Sequence, residues 1–109
     1  MSSDKILLMI GLAKKAGKIT QGLQMCEKQI RTGNSKLIIS AGDISKNSQK
    51  AIHNICTHYK IKYIEYSTMD ELANAVGACA KISVISINDD GFSQAILKIY
   101  TEKANRKEW

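Results

Sequence analysis

Proline is absent from this 109-residue sequence, so glycine and polar clusters alone punctuate it. No repeat, low-complexity run or linker interrupts the chain, which reads as one domain over residues 1–109. Cysteine is sparse. Cys26, Cys56 and Cys79 lie far apart and include no CxxC pair, which excludes a zinc knuckle and a thioredoxin-type redox site. Most of their neighbours are small or apolar, the setting of reduced, partly buried thiols in a cytosolic protein, so the expected location is cytoplasmic. No apolar run is long enough to span a membrane. The short one near the N-terminus, behind Asp4, does not read as a signal peptide either.

Several catalytic signatures are missing too. The stretch "GLAKKAGKIT" has the look of a phosphate-binding loop, but five residues separate Gly11 from Gly17 where four are needed. Ile19 also stands where that loop carries a magnesium-binding hydroxyl, and the residues before Gly11 read as helix rather than strand. No glycine-rich dinucleotide fingerprint follows any strand. His53 and His58 fall on well-separated sides of one helix and cannot readily share a metal. Asp43, Asp89 and Asp90 sit where helices begin, and capping accounts for them. Nothing selects a nucleophile and base, so no enzyme, metal or cofactor is expected.

What the sequence does have is positive charge. Sixteen Lys and Arg against ten Asp and Glu leave a net charge of +6, which favours a polyanionic partner. Hydrophobic residues make up 44%, enough for a core. Ile6, Met9, Ile10 and Ala13 lie at helical spacing within a helix expected over Ser3 to Ala16, with Gly17 as its stop. "KIT" (Lys18 to Thr20) reads as a very short strand, followed by a helix over Gly22 to Arg31 and a strand "KLIIS" over Lys36 to Ser40. A helix over Ser45 to Tyr59 then places Ile52, Ile55, Cys56 and Tyr59 on its inner side.

"IKYIEY" (Ile61 to Tyr66) is β-rich, and the next helix opens with capping-box spacing between Thr68 and Glu71. "ISVISI" (Ile82 to Ile87) is the last strand. A helix from about Gly91 buries Phe92, Ala95, Ile96 and Ile99, with a fraying tail from Thr101. The alternation implies crossovers from Ile38 to Ile64 and from Ile64 to Val84, hence an α/β fold. The expected form is a three-layer α/β/α sandwich with a mixed sheet of about four strands.

The helix beginning "GLQMCEK" carries the most information. On a helical wheel Leu23, Cys26 and Ile30 form an inner stripe with Glu27 at its edge. Gln24, Lys28 and Arg31 share another side, and Met25 lies further round in the first turn. An amide, two cations and a polarizable side chain thus surround a helix N-terminus, which attracts phosphate. Gly22 permits close backbone approach. Such a face suits RNA, and an ordinary solvated face fits the same pattern.

The order of motifs resembles the kink-turn RNA-binding ribosomal protein family (ribosomal protein L-seven-Ae and its relatives), most closely its short bacterial YlxQ-like branch. The pieces are "GLAKKAGKITQG", "IRTGNSKLIISAGDIS", "YKIKYIEY", "DELANAVG" and "SINDDGFSQAI", and they cover nearly the whole chain. The resemblance implies a ribosome-associated, non-enzymatic protein that binds a kink-turn or related internal loop of structured RNA, as a monomer and without a cofactor or membrane. It makes Gly22 the signature glycine and Lys28 the signature lysine. Gln24 stands for the family's Asn, and Met25 for its Glu or Gln. The family's second contact, a loop of small residues over an extruded nucleotide, falls on Ala78, Cys79, Ala80 and Lys81. Arg31 would hold a phosphate or a guanine, and Gly42 stands near the RNA-facing edge. Met25 leaves open a protein-interaction module with weak or lost RNA binding, and the occurrence of related folds as substrate-binding domains in some RNA methyltransferases leaves open a substrate-recognition partner of an RNA-modifying enzyme.

Overall fold

The computed structural model describes residues 4–106. Its elements run α1 (Lys5–Lys15), β1 (Ile19–Gln21), α2 (Leu23–Arg31), β2 (Leu37–Ser40), α3 (Lys46–Tyr59), β3 (Lys62–Glu65), α4 (Met69–Val76), β4 (Val84–Ile87) and α5 (Asp90–Arg106). Four of the five helices start on a side chain that accepts the amide three residues on. The caps are Asp4 to Leu7, Ser45 to Ser48, Thr68 to Glu71 and Asp89 to Phe92. Asp43 does not cap its own helix; its carboxylate reaches across to accept the Met69 amide at 2.9 Å, at the start of α4. The expected start of the first helix at Ser3 lies outside the described residues.

The strands form one mixed sheet in the order β1-β4-β2-β3. β2 and β3 are parallel and joined through α3, while β4 is antiparallel to both β1 and β2. The connection from Ile64 to Val84 is therefore not a second parallel crossover. The chain turns back after α4 and inserts β4 between the strands already laid down. Alternation along each strand separates two faces. One presents Ile19, Leu37, Ile39, Ile64, Ile85 and Ile87, and the other presents Thr20, Ile38, Ser40, Tyr63, Val84 and Ser86.

Helices α2 and α3 pair over the second face, where the His53 and Tyr63 rings meet edge-on, and α1 packs with α4 and α5 on the other side. The result is three layers around one core cluster. The two-helix side tolerates polar residues because they satisfy each other. The Ser86 and Ser35 hydroxyls bond at 2.7 Å, Asn88 Oδ1 lies 2.7 Å from Ser86 Oγ, and Asn88 Nδ2 donates to Thr20 Oγ1 at 2.9 Å.

Two outward departures from the expected pattern concern single residues. Tyr59, at the last position of α3, is 41% exposed and lies beyond the inner stripe. Cys26 and Cys56 are buried as thiols, but Cys79 is exposed. Helix α5 continues into the tail as far as Arg106, and the rest of the stretch expected to fray, residues 107–109, lies outside the described residues. Among the described residues no helix is long and apolar enough to cross a membrane.

Candidate nucleic-acid interface

Strand β1 ends at Gln21, and the Gly22 amide donates to the Val84 carbonyl at 3.0 Å. That bond pins the tip of α2 to the first residue of β4. Gly22 holds φ 96° and ψ 145°, a conformation that side chains on L-residues disfavour, and a Cβ there would face open space. The inner side of α2 is anchored by buried Cys26 and Ile30, as the wheel predicts. The Cys26 thiol donates toward the carbonyls of Thr20 (3.4 Å) and Val84 (3.8 Å), tying the first turn to β1 and β4.

The outer side is polar and open. Gln24, Met25, Lys28 and Arg31 are all exposed, Met25 at 51%. Unlike its four counterparts, α2 has no side chain over its N-terminus. Its first-turn amides and the positive end of its dipole are left to a ligand or to water. Lys28 makes no ion pair among the described residues. Arg31 pairs with Glu27 at 3.8 Å on the surface, an i,i+4 contact worth about 0–1 kcal/mol, so a phosphate could compete for it.

Helix α4 stops at Gly77, which takes the left-handed conformation (φ 72°). Ala78 donates to the Ala73 carbonyl and is half-buried against the core, so it supports the loop more than it presents itself. Cys79, Ala80 and Lys81 are exposed. The loop then sinks at Ile82 and enters β4 beside Gly22. Lys81 is three residues from Val84, so the two backbones are at most about 11 Å apart. The end of β2 arrives at the same edge. Ala41 donates to Ser83, and Gly42 donates to the Ser67 carbonyl at 2.8 Å, where an added Cβ would lie 3.4 Å from that oxygen. The N-terminal tip of α2 at Gly22, residues 41–43 and residues 81–84 thus converge on one end of the sheet.

Sequence reading passed over Gln21. Its side-chain carbonyl is the buried polar side-chain atom without a hydrogen-bond partner among the described residues, directly before the helix tip. A polar residue in a three-residue strand beside a glycine is the signal that marks it. No group of three His, Cys, Asp or Glu that could hold a metal occurs among the described residues.

Burial governs the thiols beneath this surface. It pushes Cys26 from about 9 up to about 12, partly opposed by a hydrogen bond from the Ser86 backbone, and it pushes Cys56 up to about 11. Tyr66 is also raised, by burial first and then by donating its hydroxyl to Asp4. Below about pH 8 these groups are protonated in folded and unfolded chains alike. Above it the unfolded chain ionises first, so stability falls as pH rises toward 11–12. The urea midpoint should stay flat from neutrality to about pH 8 and drop beyond about pH 9. Cys26→Ala should lower the midpoint at neutrality but make the alkaline decline shallower; an unchanged slope would show that this thiol does not drive it.

The uncapped tip of α2, its exposed Lys28 and Arg31, and the exposed loop from Cys79 to Lys81 are the candidate features that this α/β/α sandwich presents. The chain belongs to the ribosomal protein L7Ae/L30e/S12e/Gadd45 family, whose profile matches residues 4–97. It is 28% identical over 99 residues to the RNA-binding protein YlxQ of Bacillus subtilis, covering 91% of this chain and 98% of that one. Enterococcus faecium YlxQ, also called an RNA-binding protein, is 30% identical over 84% of this chain and 86% of its own. A solved structure of a Bacillus halodurans protein of unknown function superposes with a TM-score of 0.84 at 26% identity, covering 87% of this chain and 95% of that one. The chain therefore stands among RNA-binding and ribosomal proteins, which are not enzymes.

Proposed function

We propose that this protein binds a kink-turn or related internal loop of structured RNA, ribosome-associated and in the cytoplasm. The N-terminus of α2 enters the widened groove and receives a phosphate on its first-turn amides. Gln24 reads a base edge, because an amide both donates and accepts. Lys28 and Arg31 hold phosphates or a guanine, and Cys79, Ala80 and Lys81 cover an unstacked nucleotide from the flank. The observation that carries this reading is the missing cap on α2, set against side-chain caps on all four other helices. An uncapped N-terminus among exposed cations favours a phosphate in the place of a cap.

The test is a titration into a kink-turn RNA with tandem G·A pairs, against the same duplex with Watson–Crick pairs there, at two salt concentrations. Preference for the G·A-containing RNA that persists at the higher salt is expected. Equal binding that disappears with salt would reduce the interaction to general charge attraction. Lys28→Ala should weaken binding and lower the salt slope by about 1 while leaving the melting temperature unchanged, since Lys28 is off the buried stripe. An unchanged affinity would place the docking face elsewhere. A second reading, a protein-interaction module that has lost RNA affinity, is favoured by Met25, whose thioether is a poor partner for a guanine edge. The same titration separates the two.

A further inference from the structure

A groove of about 720 Å³ lies between α1 and α4, in the helical layer away from α2. Its floor is apolar. Leu8 is 58% exposed and Leu12 is 52% exposed, one turn apart on α1, and no other element of the described chain covers them. The two helices approach closely at Gly11, where an added Cβ would lie 3.0 Å from the Ala75 carbonyl. Its ends carry opposite charge. Asp4 and Glu71 stand at one end, both near enough to Tyr66 to disfavour its ionisation, and Lys14 and Lys15 stand at the other. A helix with an apolar i, i+4 pair, acidic at its N-terminal end and basic at its C-terminal end, complements this groove when it runs antiparallel to α1.

Helix α1 itself meets that description: Asp4 at its start, Leu8 and Leu12 on its outer side, and Lys14 and Lys15 in its last turn. We propose that the α1/α4 groove is the face through which two copies of this chain pair about a two-fold axis. In that pairing Lys15 of one copy lies opposite Asp4 and Glu71 of the other, and each Leu8 lies over the gap left by the other copy's Gly11. Every contact is made twice, as a two-fold interface requires. The α1 and α4 helices of both copies then form a four-helix layer. The contact runs along about 16 Å of helix, which places it among weak, concentration-dependent interfaces. The chain is a monomer when dilute, and pairing leaves the α2 tips free on the far side of each sheet.

Sedimentation equilibrium on the full chain tests this from about 5 µM to about 1 mM, a range suited to a weak interface. Reductant is included so that exposed Cys79 cannot link copies. The mass should rise from 12.1 kDa toward twice that value, less steeply at high salt. Leu8→Glu and Lys14→Glu/Lys15→Glu, each checked for native circular dichroism, should stay monomeric at concentrations where the parent pairs. A parent that remains at 12.1 kDa throughout overturns the proposal and leaves the groove to a different partner. So does a dimer that both variants retain, because it would use another surface.

Discussion

Gly22→Val is expected to keep the fold and lose roughly a hundredfold or more of kink-turn affinity. The φ of 96° is strained for any L-residue and worst for a β-branched one, a cost of about 1–3 kcal/mol. Relief of that strain would move the first turn of α2 away from the Val84 carbonyl that holds it. The melting temperature should fall by about 4 °C or more, on the scale of about 4–8 °C per kcal/mol for a domain of this size. The loss in binding is larger because two effects combine. The first-turn amides shift, and the isopropyl group projects into the open space in front of them. Losing two contacts worth about 1–3 kcal/mol each corresponds to about thirtyfold at the low end of that range and about a thousandfold at its middle. Gly22→Ala separates the two, since it keeps the conformational strain and adds little bulk. If the valine variant bound the tandem G·A RNA as well as the parent, the tip of α2 would not be the docking point.

Met25→Glu should raise affinity for a standard kink-turn by roughly 5- to 150-fold, the equivalent of about 1–3 kcal/mol for one good base contact. Met25 is 51% exposed and outside the core, so the change leaves packing alone. A carboxylate in the first turn of a helix also gains about 0.3–1 kcal/mol from the dipole. The sign makes the test decisive. Adding a negative charge weakens general attraction to RNA, so the duplex with Watson–Crick pairs should bind less tightly while the G·A-containing RNA binds more tightly. A loss on both RNAs would mean that Met25 does not stand at a guanine edge.

Much of this molecule is local grammar. Thr68 and Glu71 announce a helix start and form one, with the Ser67 hydroxyl also on the Glu71 carboxylate at 2.6 Å. Gly17 and Gly77 stop helices because they accept positive φ within the chain's own turn. The inner stripe of α2 is decided by 3.6-residue periodicity. Spacing alone therefore places Cys26 and Ile30 inside, and it places Gln24, Lys28 and Arg31 on the exposed side. All of these depend on residues within four positions of one another.

What lay beyond reach depends on residues far apart in the chain. Nothing in "ISVISI" states that β4 runs antiparallel between β1 and β2, because a strand buried on both faces has no alternation to betray its neighbours. Periodicity put Tyr59 on the inner side of α3, but that residue is the last of its helix, past the part that the sheet covers. The exposure of Leu8 and Leu12 was equally out of reach, because nothing near them in the chain tells that α4 stops short of covering them.

The sequence by itself determined the elements, their boundaries to within a few residues, the charge, and which side of α2 faces out. The tertiary structure alone decided that the helix tip, the turn after β2 and the loop before β4 meet at one end of the sheet. Local propensity acts through neighbouring residues, whereas strand order and the convergence of distant loops are settled only when the whole hydrophobic core closes at once.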